Sequence, residues 1–106
     1  MVVTEAALDA LGNGTRRAIV GLLREGPSTV GQIAARLPVS RPAVSQHLRV
    51  LEDAALVAHV PDGTRNVYRL DPAGFDAVRD WLDALWAQAL PRFAALAAST
   101  WEDDHE

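Results

Sequence analysis

Ser40-Arg41-Pro42-Ala43-Val44-Ser45-Gln46-His47-Leu48-Arg49-Val50-Leu51 is the stretch on which the reading of this chain turns. Val44, Leu48 and Leu51 stand at i, i+4 and i+7, so the helix they form has one apolar side. At roughly 100° per residue, the opposite side collects Pro42, Ser45, Gln46 and Arg49. Ser40 is placed to cap the first turn with its hydroxyl, and Pro42 falls where a missing N–H costs little. The outward side chains are of types that hydrogen-bond base edges (Gln, Arg, Ser) or phosphates (Arg, Ser). The major groove of DNA is therefore the surface this helix is expected to meet.

Upstream, Val30-Gly31-Gln32-Ile33-Ala34-Ala35-Arg36-Leu37 forms a shorter helix, capped by Ser28 or Thr29 after Pro27. Pro38-Val39-Ser40 is a tight turn into the second helix. Helix, short turn and second helix with a polar N-terminal half is a helix-turn-helix arrangement. An all-α hairpin has the same outline, so the flanks decide.

Thr4 to Leu11 reads as a first helix, with Leu8 and Leu11 on one side. Gly12-Asn13-Gly14 interrupts it, and Thr15 caps a second helix running to Arg24. After Leu51 the period changes. Val57–Val60 and Asn66–Leu70 are β-type runs around the five-residue connection Pro61-Asp62-Gly63-Thr64-Arg65, whose Asp-Gly signals a hairpin. A two-stranded hairpin placed here is a wing, and its tip offers Thr64 and Arg65 to the DNA backbone or minor groove. Tyr68 reads as a packing residue of the wing.

Asp71 and Pro72 restart helix. Phe75, Val78, Leu82, Leu85, Trp86, Ala89, Phe93 and Leu96 trace an apolar stripe that Trp81 and Leu90 widen. Pro91 is expected to kink or break this helix near Ala87 to Leu90. A small winged domain cannot cover so much apolar surface. The expectation is a two-fold dimer with Leu8, Leu11, Trp81, Leu85, Trp86, Leu90 and Phe93 at its interface. Residues 1–98 make up the DNA-binding and dimerisation domain, and residues 99–106 a disordered acidic tail.

A chain of 106 residues is one domain. Its net charge of −4 speaks at first against nucleic acid, but the charge is unevenly placed. Residues 15–70 hold eight Arg against four acids, whereas residues 71–106 hold two Arg against eight acids. Positive charge thus gathers on the helix-turn-helix, as an electrostatic footprint requires. There is no cysteine, which removes disulfides and thiolate metal sites. No apolar run approaches the roughly 20 residues of a membrane span, and no signal peptide opens the chain, so a cytoplasmic location is expected. Nothing suggests an enzyme: there is no nucleophile–base pair or Gly-rich phosphate loop, and His47, His59 and His105 lack ligand spacing.

In combination, three phrases make the chain similar to the ArsR/SmtB family of bacterial winged-helix repressors. They are Leu11-Gly12-Asn13-Gly14-Thr15-Arg16-Arg17-Ala18-Ile19, the stretch Val39–Leu51, and the wing Asp62–Leu70. The resemblance covers roughly residues 5–90. It implies a homodimer of five-helix, mainly α protomers with a two-stranded β wing, repressing by occupying operator DNA, often its own. By the same resemblance, DNA contacts fall on Ser40, Arg41, Pro42, Ser45, Gln46, His47 and Arg49, on the wing's Thr64 and Arg65, and on Arg16 and Arg17 at flanking phosphates. Gln46 suits adenine, and Arg41 or Arg49 guanine.

Many members sense metals through a Cys-x-Cys phrase that this chain lacks, and others through Asp and His pairs on the last helix. Here that helix offers Asp76, Asp80 and Asp83, read as solvated carboxylates, while His105 stands among tail acids. The chain resembles the cysteine-free branch, so no metal or cofactor is expected. An apolar small molecule between the aromatic terminal helices is a candidate inducer. The alternatives are a repressor responding to metal through Asp, Glu and His, and a dimeric protein-interaction module that binds no DNA.

Overall fold

Short polar side chains set where the helices begin. The computed structural model describes the backbone of residues 3–104 and the side chains of residues 4–100. Its elements are α1 (Val3–Leu11), α2 (Gly14–Glu25), β1 (Ser28–Thr29), α3 (Val30–Arg36), α4 (Arg41–Asp53), β2 (Val57–Asp62), β3 (Arg65–Leu70) and α5 (Pro72–Asp104). Ser40 Oγ accepts from the Ala43 N–H at 3.3 Å, and Asp71 Oδ1 accepts from the Ala73 N–H at 3.0 Å. Thr29 and Gln32 form a reciprocal capping box at the head of α3. At α2 the cap is Asn13, not Thr15: Asn13 is extended and its Oδ1 accepts from the Arg16 N–H at 3.0 Å. An amide oxygen at that position satisfies an early N–H, which leaves Thr15 inside the first turn.

The core lies where α1, α2, α3 and α4 meet the base of the sheet. Ile19, Ile33, Val44, Leu48, Leu51, Leu56 and Val57 are fully buried, with Leu11, Tyr68, Leu70, Phe75 and Val78 packed around them. The three apolar residues that define α4 in the sequence are thus its anchor. Burying each such side chain contributes about 1.5–3 kcal/mol.

The sheet has three antiparallel strands in the order β1-β3-β2, one more than the two-stranded wing expected. Ser28 pairs with Tyr68 and Thr29 with Val67. This short strand covers the free edge of β3 just before α3 begins. The wing turn is also tighter than expected, because Asp62 pairs with Arg65 and Pro61 with Asn66. Only Gly63 and Thr64 remain in the connection. Gly63 takes φ +64° and Thr64 stays out of the left-handed region, the pattern of a type II′ turn, which suits the twist of a hairpin.

The end of α4 is closed by a Schellman motif. The Leu56 N–H donates to the Leu51 carbonyl at 2.9 Å and the Ala55 N–H to the Glu52 carbonyl at 3.0 Å, with Ala55 at φ +59°. The first turn of α5 sits on this cap. The Gly74 N–H donates to the Ala55 carbonyl at 2.7 Å, and a Cβ on Gly74 would fall 2.6 Å from that oxygen. Gly74 is what allows α5 to start so close to α4.

Helix α5 continues through Pro91, so the break expected near Ala87 to Leu90 does not occur. Proline removes one hydrogen bond, to a carbonyl at Ala87 on the exposed side, and the Ala-rich residues that follow favour helix strongly. Residues 99–104 of the acidic end form the last turn and a half of this helix, while His105 and Glu106 lie outside the described residues. The radius of gyration, 19.6 Å, is well above the ~13 Å of a compact chain of this length, and the longest extent is 72 Å. Beyond Val78, α5 projects from the body. Trp86 is 56% exposed and Phe93 70% exposed, with Trp81, Leu82, Leu85, Leu90 and Leu96 similarly open. Apolar residues occupy about half of the circumference, more than a single packed neighbour covers.

Candidate nucleic-acid interface

Because α4 is held by Val44, Leu48 and Leu51, its other side is presented. Ser40, Arg41, Pro42, Ser45, Gln46 and Arg49 are all exposed. His47 is turned differently: it is half-buried, and its Nδ1 lies 3.4 Å from Arg16 Nη1 on α2. The first turn of α4 carries no acid that would compete with a phosphate for the positive end of the helix dipole.

The wing stands beside this face. Thr64 and Arg65 are exposed at its tip, and two clefts run between wing and helices. One, of about 550 Å³, is bounded by Gly31, Gln32, Arg41, Ser45, Thr64 and Arg65 among others. The second, of about 390 Å³, lies between Ser45, Gln46 and Arg49 on α4 and His59 and Tyr68 on the wing, with Glu52 and Asp53 at its acidic end. Helix and wing residues that are far apart in sequence thus share two neighbouring depressions. Tyr68 is partly buried against the core and lies 5.2 Å, centroid to centroid, from the His59 ring, a packing position as expected.

Arg16 and Arg17 occupy a different position from the reading face. Arg16 Nε donates to the Ala10 carbonyl at 2.7 Å and Nη2 to the Asp9 carbonyl at 3.5 Å, while Arg17 Nη1 donates to the Leu11 carbonyl at 2.8 Å. Both reach carbonyls at the C-terminal end of α1, of which that of Asp9 also accepts from the Gly12 N–H at 3.1 Å. Of the expected interface residues on α1, Leu8 is exposed and Leu11 packs against the core.

Sequence reasoning did not find Gly31, Gln32 and Asn66, which line the larger cleft, or the 2.7 Å contact between His59 Nδ1 and Glu52 Oε2. Gln32 carried a signal, as the third residue after a Thr cap, but that signal was structural. The His59–Glu52 contact had none, because a strand and a helix meet there through tertiary packing. Among the described residues, no three His, Asp or Glu side chains gather where they could hold a metal ion. Asp76, Asp80 and Asp83 are exposed on α5. No helix among the described residues is long and apolar enough to cross a membrane.

A recognition helix docked on a three-helix core, with a β-hairpin beside its presented face, defines the winged helix-turn-helix class. A helix-turn-helix domain family matches residues 11–60. The chain is 54% identical over 99 residues to the HTH-type transcriptional regulator Rv2034 of Mycobacterium tuberculosis, covering 93% of this chain and 92% of that one. It is 32% identical over 73 residues to the transcriptional repressor SdpR of Bacillus subtilis, covering 69% and 81%. Among solved structures it is similar to an ArsR-like transcriptional regulator from a Rhodococcus species, with 31% identity, 89% of each chain covered and a TM-score of 0.79. The chain belongs to the ArsR/SmtB family of winged helix-turn-helix transcriptional regulators.

Proposed function

We propose that this protein is a homodimeric repressor that binds an inverted-repeat operator, its own promoter included, without a metal sensor. The observation that carries this reading is the exposed row of Pro42, Ser45, Gln46 and Arg49 on a helix whose opposite face is fully buried, with Thr64 and Arg65 alongside. In this reading α4 enters the major groove, where Gln46 and Arg49 meet base edges, and the wing follows the adjacent backbone. Arg17, exposed at the α1–α2 corner, faces the flanking phosphates.

Dimerisation rests on the apolar half of α5, whose Trp81, Leu85, Trp86, Leu90 and Phe93 a second copy would cover together with Leu8. Two-fold pairing places two recognition helices about one DNA turn apart, which sets the half-site spacing. It also doubles the modest positive charge of one helix-turn-helix, so affinity is expected to be strongly salt-dependent. Residues 1–98 carry both activities in this reading. An apolar molecule between the paired aromatic helices is the class of inducer it allows.

Titration of the purified protein onto its own upstream DNA and onto a scrambled duplex, with chelator and then with divalent metals, tests the reading. Selective binding that neither treatment changes is the expected result. Binding that metal abolishes would instead favour a carboxylate–His sensor, and absence of any DNA binding would leave a protein-interaction module.

A further inference from the structure

Arg17, Gly21 and Arg24 fall at i, i+4 and i+7 on α2, so one face of that helix carries two guanidinium groups with a bare glycine between them. A Cβ at Gly21 would meet nothing within 4 Å. With Leu11, Leu70 and Phe75 these residues line an apolar groove of about 400 Å³, separate from the two clefts beside the wing. Arg24 is exposed and enters no ion pair among the described residues, while Arg17 holds the Leu11 carbonyl at 2.8 Å. Phe75 brings the first turn of α5 to the groove. The far end of the same helix has the complementary chemistry: it reads Trp101-Glu102-Asp103-Asp104, one large aromatic residue followed by three acids. At 1.5 Å per residue this turn lies about 40 Å along α5 from Phe75, out of reach of the groove in its own chain. A second copy changes that. The open apolar residues of α5 run from Trp81 to Leu96, and an antiparallel pair centred on that run sets Trp81 against the partner's Leu96. The same register lays residues 101–104 of the partner over residues 73–76, beside Phe75. Parallel pairing would instead bring the acids of both chains side by side, which like-charge repulsion opposes.

We propose that the acidic end of each α5 docks in this groove on a second copy of the chain, with Trp101 on the apolar floor and Glu102, Asp103 and Asp104 against Arg24. This rests on the α5-mediated dimer proposed above and extends it: the central stripe supplies apolar contact, and the ends fix its register and antiparallel sense. The chemistry suits the assignment. An indole is a rigid apolar body of the kind that anchors interfaces. Exposed charges add little affinity but penalise wrong alignments, which is what a long, uniformly apolar stripe needs. Arg17, already bonded to Leu11, bounds the groove at its other end.

The chain has no cysteine, so cross-linking of the whole protein can be directed to chosen positions. Arg24→Cys combined with Asp103→Cys should give a covalent dimer with a short bismaleimide, and neither single variant should. Sedimentation equilibrium supplies a second measurement. Arg24→Glu, and separately the triple reversal Glu102→Arg, Asp103→Arg and Asp104→Arg, should each weaken dimerisation about tenfold at low salt and less at high salt. Combining all four reversals should restore dimerisation to within about threefold of wild type, because the charges meet each other. Gly21→Leu should fill the groove and weaken dimerisation while circular dichroism keeps its helical content, since a Cβ there meets nothing. Cross-linking of Asp103→Cys alone would set the two acidic ends side by side and overturn the proposal. Reversals that weaken without mutual rescue would place Arg24 and the acids in separate contacts and overturn it too. A dimer that no reversal weakens, and in which the double cysteine variant does not cross-link, sinks this inference alone. A wild type that sediments as a monomer sinks the dimer reading with it.

Discussion

Arg16 on α2 and His47 on α4, 31 residues apart in sequence, meet at 3.4 Å between Nη1 and Nδ1. The same guanidinium holds the Ala10 carbonyl at 2.7 Å and reaches the Asp9 carbonyl at 3.5 Å. One side chain therefore joins the end of α1, the start of α2 and the middle of the recognition helix. Arg16→Ala should cost about 1.5–3 kcal/mol, the range for hydrogen bonds to a charged group, as read by urea unfolding. The salt slope of DNA binding should stay unchanged. A reduced slope with full stability would instead place Arg16 on phosphate.

The cap between α4 and α5 yields a pair of opposite predictions. Ala55 holds a left-handed φ of +59°, which costs an L-residue about 1–2 kcal/mol, so Ala55→Gly should stabilise by up to about 1 kcal/mol after the added freedom of the unfolded chain is counted. Gly74→Ala should destabilise by several times as much, because its Cβ would meet the Ala55 carbonyl at 2.6 Å. Thermal melts of the two variants check both signs. Equal shifts in the same direction would contradict this account of the junction.

Base reading and backbone contact separate by their sequence dependence. Gln46→Ala and Arg49→Ala should each lose about 1–3 kcal/mol on the operator and little on scrambled DNA. Arg65→Ala at the hairpin tip should weaken both duplexes together and flatten the salt dependence. If Gln46→Ala leaves operator affinity intact, the reading face lies elsewhere.

The exposed end of α5 makes a prediction about association. Polar replacement of Trp86 and Phe93 should shift sedimentation from dimer to monomer and improve solubility, because both side chains stand open on a single chain. Dimers that survive both changes would move the interface away from this helix.

Much of this architecture was legible along the chain. The spacing of Val44, Leu48 and Leu51, the Ser40 cap and the Asp71-Pro72 restart are local signals, and each produced the element expected. The same locality explains the misplacements. Thr15 and Asn13 are both acceptable caps by type, and the backbone angles of the Gly12–Gly14 corner selected Asn13. Asp-Gly announced a turn, but cross-strand pairing placed Asp62 in a strand and left Gly63-Thr64 as the bend.

The periods of 3.6 and 2, the capping residues and the clustering of Arg depend on neighbours within a turn or two, so the sequence alone determined helices, wing and the polarity of α4. Contacts between distant segments obey no such period. Only the tertiary structure decided that β1 joins the wing and that Arg16 is engaged by α1 and His47. Each depends on which surfaces the buried core brings within hydrogen-bonding or van der Waals reach, which no local pattern encodes.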